Sequence, residues 1–332
     1  MSNKIRPMQE KSLNESVRAY SDLFSDASYY IKTKLKARGI HDLIAYVFME
    51  NLRGAKVLDI GCGYGRFSFI ASTLADKVVG VDMTKSAIDV ATKIKESFGI
   101  DNVDFVCKSI EEFETDDRYD FIILSGTLEH VIDAPPILNK INGLLGDEGV
   151  FVTDSPSEFN FRGIFHASLW KLFNFPMTLS DVRIVTPKYM DELAAETGFT
   201  VERIIGTLYK RGWGDAGAED LKLRMRNVLR DVAKETREIN VTHDEYDQWV
   251  DEANVEFNLL IDDWKKEDIL LKIPMRESYD YDLNTEVLEQ AGLPVDLIKE
   301  YMKPDYSIDP YYCDKMPYSH FGGNSIYVLY KT

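Results

Sequence analysis

The run Val57-Leu58-Asp59-Ile60-Gly61-Cys62-Gly63-Tyr64-Gly65-Arg66 carries the sharpest chemical signal in the chain. A buried-strand pattern runs straight into a glycine-rich turn that opens a helix. Glycine there lets the backbone take up positive φ and come close to a ligand. About twenty residues beyond the first glycine, at the tip of the next apolar run, stands Asp82, whose carboxylate can accept both hydroxyl hydrogens of a ribose. A lone glycine turn beside a surface acid would be structural. Strand, spacing and acid together point to a nucleoside-bearing cofactor.

Two residues narrow the cofactor. The dinucleotide fingerprint G-x-G-x-x-G/A needs a small residue at position 66, where this chain has Arg66. Asp59, two residues before the first glycine, would repel a pyrophosphate but suits a cationic group. S-adenosylmethionine is a molecule of that kind, with sulfonium, ammonium, ribose and adenine and no phosphate.

These residues need a scaffold, and the pattern supplies one. Strand-like runs at Lys56–Ile60, Lys77–Asp82, Val103–Cys107, Tyr119–Leu124 and Gly149–Asp154 alternate with helical stretches of about 10–15 residues, as parallel crossovers require. The segment TPKYMDELAAETGF predicts a helix with Thr186 as N-cap and Pro187 at its first position, ended by Gly198. Phe199–Ile205 and Ser325–Tyr330 read as two more strands. Residues 11–50 read as helical, with Tyr20, Phe24, Tyr29 and Tyr30 either packing as core or covering a ligand. The fold class expected is therefore α/β and Rossmann-like: a seven-stranded, mostly parallel sheet with helices on both faces and a mainly helical insertion. The expected organisation is a 1–50 helical cap, a cofactor-binding domain over 51–206 with 323–332, and an insertion over 207–322. In that insertion Thr242 and Glu245 form a capping-box pair, and Tyr246, Trp249, Val250, Phe257 and Trp264 fall on one helical stripe. Its expected role is that of a substrate cap or an oligomerisation surface.

Composition sets the partners. The 332 residues include 56 acidic and 39 basic side chains, a net charge of -17, and the insertion holds more than half of that excess. Such a surface repels phosphate backbones and anionic lipid, so neither a nucleic-acid nor a membrane partner is expected. A small neutral or cationic molecule is. Cys62, Cys107 and Cys313 have no C-x-x-C spacing and suit a reducing cytosol. No apolar leader or membrane span is visible in the sequence, so a cytoplasmic protein is expected.

With its D-x-G-x-G-x-G run, the chain resembles the class I S-adenosylmethionine-dependent methyltransferases over roughly residues 40–206 and the final strand. Within them it is most similar to the ubiquinone-biosynthesis O-methyltransferases and related small-molecule enzymes. The segments Cys107-Lys108-Ser109-Ile110-Glu111-Glu112-Phe113 and Leu124-Ser125-Gly126-Thr127-Leu128-Glu129-His130-Val131 carry that second likeness.

The resemblance implies that Asp59, Gly61, Cys62, Gly63 and Gly65 line the methionyl part, that Asp82 holds the ribose, and that Met83 packs on adenine. It places Ser109 and Ile110 at the adenine edge, where an acid is common, and the backbone of Leu124 and Ser125 at the methionyl group. His130 is the candidate base for a protic acceptor; read structurally, it only caps or packs the helix that follows. His166 is a second candidate base or a solvated loop histidine. The related metal-using enzymes carry Glu-x-x-Glu-His, whose first acid is missing here, so no catalytic metal is expected. The expected activity is methyl transfer to an oxygen or nitrogen of a small-molecule acceptor, with Tyr20, Tyr29, Tyr30 and His166 on the acceptor side and a homodimer through 207–322 as one arrangement. The alternatives are an inactive, methyltransferase-like binding subunit or an NAD-dependent oxidoreductase.

Overall fold

The computed structural model describes residues 39–157, 163, 181–207, 218–219, 221–222, 226, 243–266, 271–272, 283–303, 311–313 and 323–332. Two short helices, α1 (Gly39–Val47) and α2 (Met49–Leu52), lead into β1 (Lys56–Ile60), α3 (Arg66–Ser72), β2 (Lys77–Asp82), α4 (Lys85–Ser97) and β3 (Val103–Cys107). Then come β4 (Tyr119–Ser125), a single 3-10 turn at Leu128–His130, α5 (Ala134–Leu144), β5 (Leu145–Pro156), α6 (Pro187–Glu196) and β6 (Phe199–Thr207). The remaining elements are α7 (His243–Lys266), β7 (Leu271–Lys272), α8 (Thr285–Gln290), α9 (Val295–Tyr301), β8 (Tyr311–Cys313) and β9 (Asn324–Lys331).

One sheet runs in the order β3-β2-β1-β4-β5-β9-β6-β8-β7. Strands β1 to β5 are parallel, and β9 inserts antiparallel between β5 and β6. All seven expected strands are present. The sheet is longer than expected because β8 and β7, both from the 207–322 stretch, pair in turn onto the free edge of β6. Unpaired edge N–H and C=O groups invite such an addition.

Side chains alternate across the sheet. Val57, Phe121, Ile123, Val150 and Val152 face a cluster with α1, α3 and α4, whereas Leu58, Ile60, Ile122, Leu124 and Phe151 face the one with α5 and α6. Thr186 caps α6 as expected, its hydroxyl accepting from Tyr189 N at 3.1 Å. The acidic stretch is less separate than its composition suggests. Leu288, Ile298, Tyr301 and Met302 from α8 and α9 are buried in the first cluster, and Asn284 N donates to Ser97 O at the end of α4. On α7, Val250 is buried with Ala218 and Leu221, but Trp249 is 45% exposed. One residue is a 100° turn of helix, which separates the two. Among the described residues no helix is long and apolar enough to cross a membrane.

Candidate active site

The strand order reverses between β1 and β4, and in open parallel sheets ligands bind beyond the strand ends at such a point. The turn from β1 into α3 sits there. Gly61 and Gly65 have φ of +71° and +78°. A Cβ on Gly61 would lie 2.7 Å from Thr127 Oγ1, and one on Gly65 would lie 2.5 Å from the Phe105 ring. The turn is thus pressed between the loop after β4 and the side chains of β3. Only glycine satisfies both the backbone and the space.

Asp82, at the end of β2, is fixed by the same turn. Its Oδ2 accepts from Gly63 N at 2.9 Å and its Oδ1 from Thr84 N at 2.7 Å. Each oxygen keeps a further lone pair, so the carboxylate is held in place and can still accept from a vicinal diol. Met83 beside it leaves 66% of its surface in solvent, an apolar face suited to stack on a flat base.

Asp59 lies beneath the turn and not on its rim. It shares a sheet face with Val57, so it points toward α3, where Ser68 Oγ donates to its Oδ2 at 2.6 Å. Burial pushes its carboxyl up from 3.8 to about 7; the Ser68 hydrogen bonds oppose the rise and the Asp82 carboxylate adds to it. A positively charged ligand group above the turn would reverse that shift. Fixed diol acceptor, exposed Met83 and a carboxyl short of positive charge fit a ligand with adenine, ribose and a cationic tail.

Arg66 explains itself here. It is 3% exposed and reaches Asp42 of α1 at 2.8 Å, Lys303 O at 2.9 Å, and Tyr301 O at the end of α9. Its guanidinium also lies 5.7 Å from the Tyr301 ring centroid. One side chain at the start of α3 therefore ties the glycine turn to α1 and to the carbonyl end of α9, where positive charge is favourable. The Tyr301 hydroxyl is pushed far up by burial.

The other end of the cleft gathers polar groups at the tips of β4, β5 and β9. His130 Nδ1 lies 3.1 Å from Asp181 Oδ1. Glu129 is buried, accepts from Ser155 Oγ at 2.8 Å, and has its carboxyl pushed up to about 7 by burial, with His130 pulling the other way. Asn324 Nδ2 donates to Asp154 Oδ2 at 2.9 Å. From α1, His41 Nε2 meets Ser125 Oγ at 3.1 Å, its ring edge-on to Phe67.

The residues singled out in the sequence are distributed unevenly about this cleft. Gly61, Gly63, Gly65, Asp82 and Met83 come together at its mouth, with Asp59 below. The Cys62 thiol faces inward, since a Cβ on Gly80 would come within 3.0 Å of it, and burial raises its pKa well above the ordinary thiol value. Ile110 packs into the second core cluster, and Ser109 Oγ accepts from Glu112 N at 3.3 Å as a turn cap. Leu124 is buried with its carbonyl accepting from Thr153 Oγ, so Ser125 is the more accessible of the pair. Tyr20, Tyr29, Tyr30 and His166 lie outside the described residues. Sequence reasoning missed Asp181 and set His41 aside, and it read Tyr301 as a ring offered to a small ligand, whereas the structure buries it in the first core cluster. His41 had no motif around it, and Asp181 follows a stretch with no periodicity. Tyr301 is one aromatic in a tyrosine-rich tail.

Strand order and glycine turn agree with the Rossmann-like α/β fold class expected from the sequence. In agreement, residues 51–197 match the family model described as "Methyltransferase domain". The chain is 31% identical to the ubiquinone biosynthesis O-methyltransferase of Bradyrhizobium diazoefficiens over 122 residues, 35% of this chain and 48% of that one. It is 26% identical to the same-named enzyme of Coxiella burnetii over 61% of this chain and 89% of that one. A probable (S)-tetrahydroprotoberberine N-methyltransferase of Papaver bracteatum is 28% identical over 34% of this chain and 32% of its own length. The chain thus spans about half or less of the length of most of these relatives. The likeness to a methyltransferase domain covers residues 51–197, a little under half of the chain.

Proposed function

We propose that the protein transfers a methyl group from S-adenosylmethionine to an oxygen or nitrogen of a small-molecule acceptor. The observation that carries this reading is Asp82, clamped by Gly63 N and Thr84 N at the mouth of the glycine turn. When bound, the cofactor supplies an electrophilic methyl on a sulfonium. The chain holds the ribose with Asp82, the adenine with Met83 and the region of Ser109, and the cationic tail above Asp59 and near Ser125. Alignment of acceptor and methyl supplies most of the acceleration in such a displacement. A protic acceptor must also lose its proton, and His130 is the base assigned to that role.

The organisation proposed is a methyl-transfer domain of 51–206 with 323–332, covered by 1–50 and by the 207–322 insertion. The exposed Trp249, Val255 and Leu259 of α7 support a homodimer through that insertion. Cytoplasmic location rests on cysteines that form no disulfide among the described residues. Both O- and N-methyltransferases occur among the relatives, so the acceptor atom is left as either.

Calorimetric titration with S-adenosylhomocysteine and with NAD, followed by a labelled-methyl transfer screen, tests the reading. Binding of the first and not the second is expected, with transfer to a small molecule. Binding without any transfer would favour an inactive binding subunit. His130→Ala should lower turnover about 10²–10⁴-fold with cofactor binding intact.

A further inference from the structure

Alternation along the strands puts a row of polar residues on one face of the sheet, at the end where β4 and β5 finish. Ile123, Val152, Ile205 and Ile326 all enter the first core cluster. The residues two places from them toward the tips share that face: Ser125 on β4, Asp154 on β5, Thr207 on β6 and Asn324 on β9. The register sets their order, with Ser125 opposite Asp154 and Asn324 opposite Thr207. From Ser125, where the methionyl tail is assigned, the row leads away from the glycine turn, because β5, β9 and β6 follow β4 in the sheet.

Asn324 is the residue of this row whose side chain has a defined direction. Its backbone N–H donates to Thr207 Oγ1 at 3.1 Å, and its amide Nδ2 donates to Asp154 Oδ2 at 2.9 Å. A carboxylate accepts hydrogen bonds and does not donate them, so the nitrogen arm of the amide must face Asp154. Oδ1, on the other arm, is turned away from it. The strands do not need this bond to stay together, since six residue pairs already join β9 to β5. What it adds is the direction of the amide. Asn324 is also only partly buried, unlike Asp154, which is 1% exposed.

We propose that Asn324 recognises the acceptor molecule, its Oδ1 taking a hydrogen bond from an N–H or O–H of that molecule, and that Asp154 is the positioning residue that sets the amide. The ligand class is a small molecule with a hydroxyl or amino donor; an analogue with every donor capped as an ether gains nothing at this position. The inference rests on the methyl-transfer reading for the identity of the ligand as acceptor. No covalent bond is made or broken at Asn324.

The test uses the full-length protein, with catechol as an O–H probe, phenethylamine as an N–H probe and 1,2-dimethoxybenzene as the capped control. Each is titrated calorimetrically into the complex with S-adenosylhomocysteine, and each is offered in the labelled-methyl assay. At least one of the first two should bind, and the control should not. Asn324→Ala should weaken that probe about tenfold, as KM or as Kd, change kcat by about threefold at most, and leave S-adenosylhomocysteine affinity as it was. Asp154→Asn keeps Asn324 but lets its amide turn either way, so it should also weaken the probe. The double variant should be no worse than Asn324→Ala, because Asp154 acts through the amide. Equal probe binding in wild type and Asn324→Ala would overturn the proposal, as would binding of neither probe, losses that add in the double variant, or an equal loss of S-adenosylhomocysteine affinity. Failure of the wild type to bind S-adenosylhomocysteine would instead sink the methyl-transfer reading, and the probe comparison in the free protein would still decide whether Asn324 holds a donor-bearing ligand.

Discussion

The glycine-turn end of the cleft and the His130 end are built by different means. At the first, residues 57–66 and 82 are brought together because β1 and β2 are neighbours, and backbone groups do the holding: Gly61 N and Cys62 N to Val81 O, Gly63 N and Thr84 N to Asp82. At the second, residues 41, 125, 129–130, 154–155, 181 and 324 come from six separate stretches, and side chains meet side chains. A backbone-held site tolerates changes elsewhere and keeps a compact signature. A site of side-chain pairs is recast by any change in the segments that deliver them, which suits the part of an enzyme that fits an acceptor.

Arg66 cuts across this division, because it joins the compact end to α1 and α9, and its loss should have the largest effect on the fold. Arg66→Ala removes the buried ion pair with Asp42 and the guanidinium donors to Tyr301 O and Lys303 O. Breaking a buried pair costs roughly 3–5 kcal/mol. Thermal denaturation should report that loss, and affinity for S-adenosylhomocysteine should fall with it as the turn loosens. Arg66→Lys should rescue little, since a point charge cannot match the guanidinium fork. If the variant melts early yet binds the ligand as before, the insertion and the cofactor turn are independent, as the sequence alone suggests.

Asp82→Ala comes next. It removes acceptors for two backbone N–H groups and for the ribose, charge-assisted bonds worth about 1.5–3 kcal/mol. Affinity for S-adenosylhomocysteine should drop about tenfold or more, measured by calorimetry. An unchanged affinity would move the ribose site elsewhere.

Asp59 and Glu129 place one raised carboxyl at each end, so pH can compare them directly. Each is pushed up to about 7. The folded protein keeps these protons between about pH 4 and 7, where the unfolded chain has already released them. Stability should therefore fall as pH rises through that window and level off above it. Asp59→Asn should flatten part of this slope in melting curves from pH 5 to 8. It should also raise apo stability at pH 8 by a few kcal/mol, because each pH unit between the folded and unfolded midpoints is worth ~1.4 kcal/mol. The remaining slope belongs to Glu129 and should vanish in Asp59→Asn/Glu129→Gln. A slope unaffected by either variant would mean that neither carboxyl titrates there.

What the sequence disclosed follows the same line. The β1 turn, the Thr186 cap and the seven strands are local patterns of apolar spacing, glycines and caps, and one sequence suffices to read them. Arg66 was legible only as a residue that excludes a dinucleotide. Its partners lie 24 and 235 residues away, and no local pattern links them. Trp249 shows the limit of periodicity, since a helix stripe names candidates for burial but not which side meets a partner. Asp181 and His41 carry no local motif; only the packing of α1 and of the segment before α6 brings them to the strand ends.

The smallest predicted effect tests whether α1 takes part in the cleft or only roofs it. His41 meets Ser125 at the tip of β4, and α1 is anchored there by Asp42 on Arg66. A neutral, partly buried hydrogen bond contributes about 0.5–1.5 kcal/mol. Were that all, His41→Ala would lower thermal stability slightly and leave ligand affinity alone. The Ser125 position is where the methionyl group is assigned, so an imidazole bonded to that hydroxyl orders the wall that meets it. His41→Ala should therefore weaken S-adenosylhomocysteine binding by two- to tenfold, about 0.4–1.4 kcal/mol, and Ser125→Ala should do nearly the same. The double variant should be no worse than either single one, because both remove one contact. Additive losses would show that His41 and Ser125 act on the ligand separately, and no loss in any of the three would make α1 a roof.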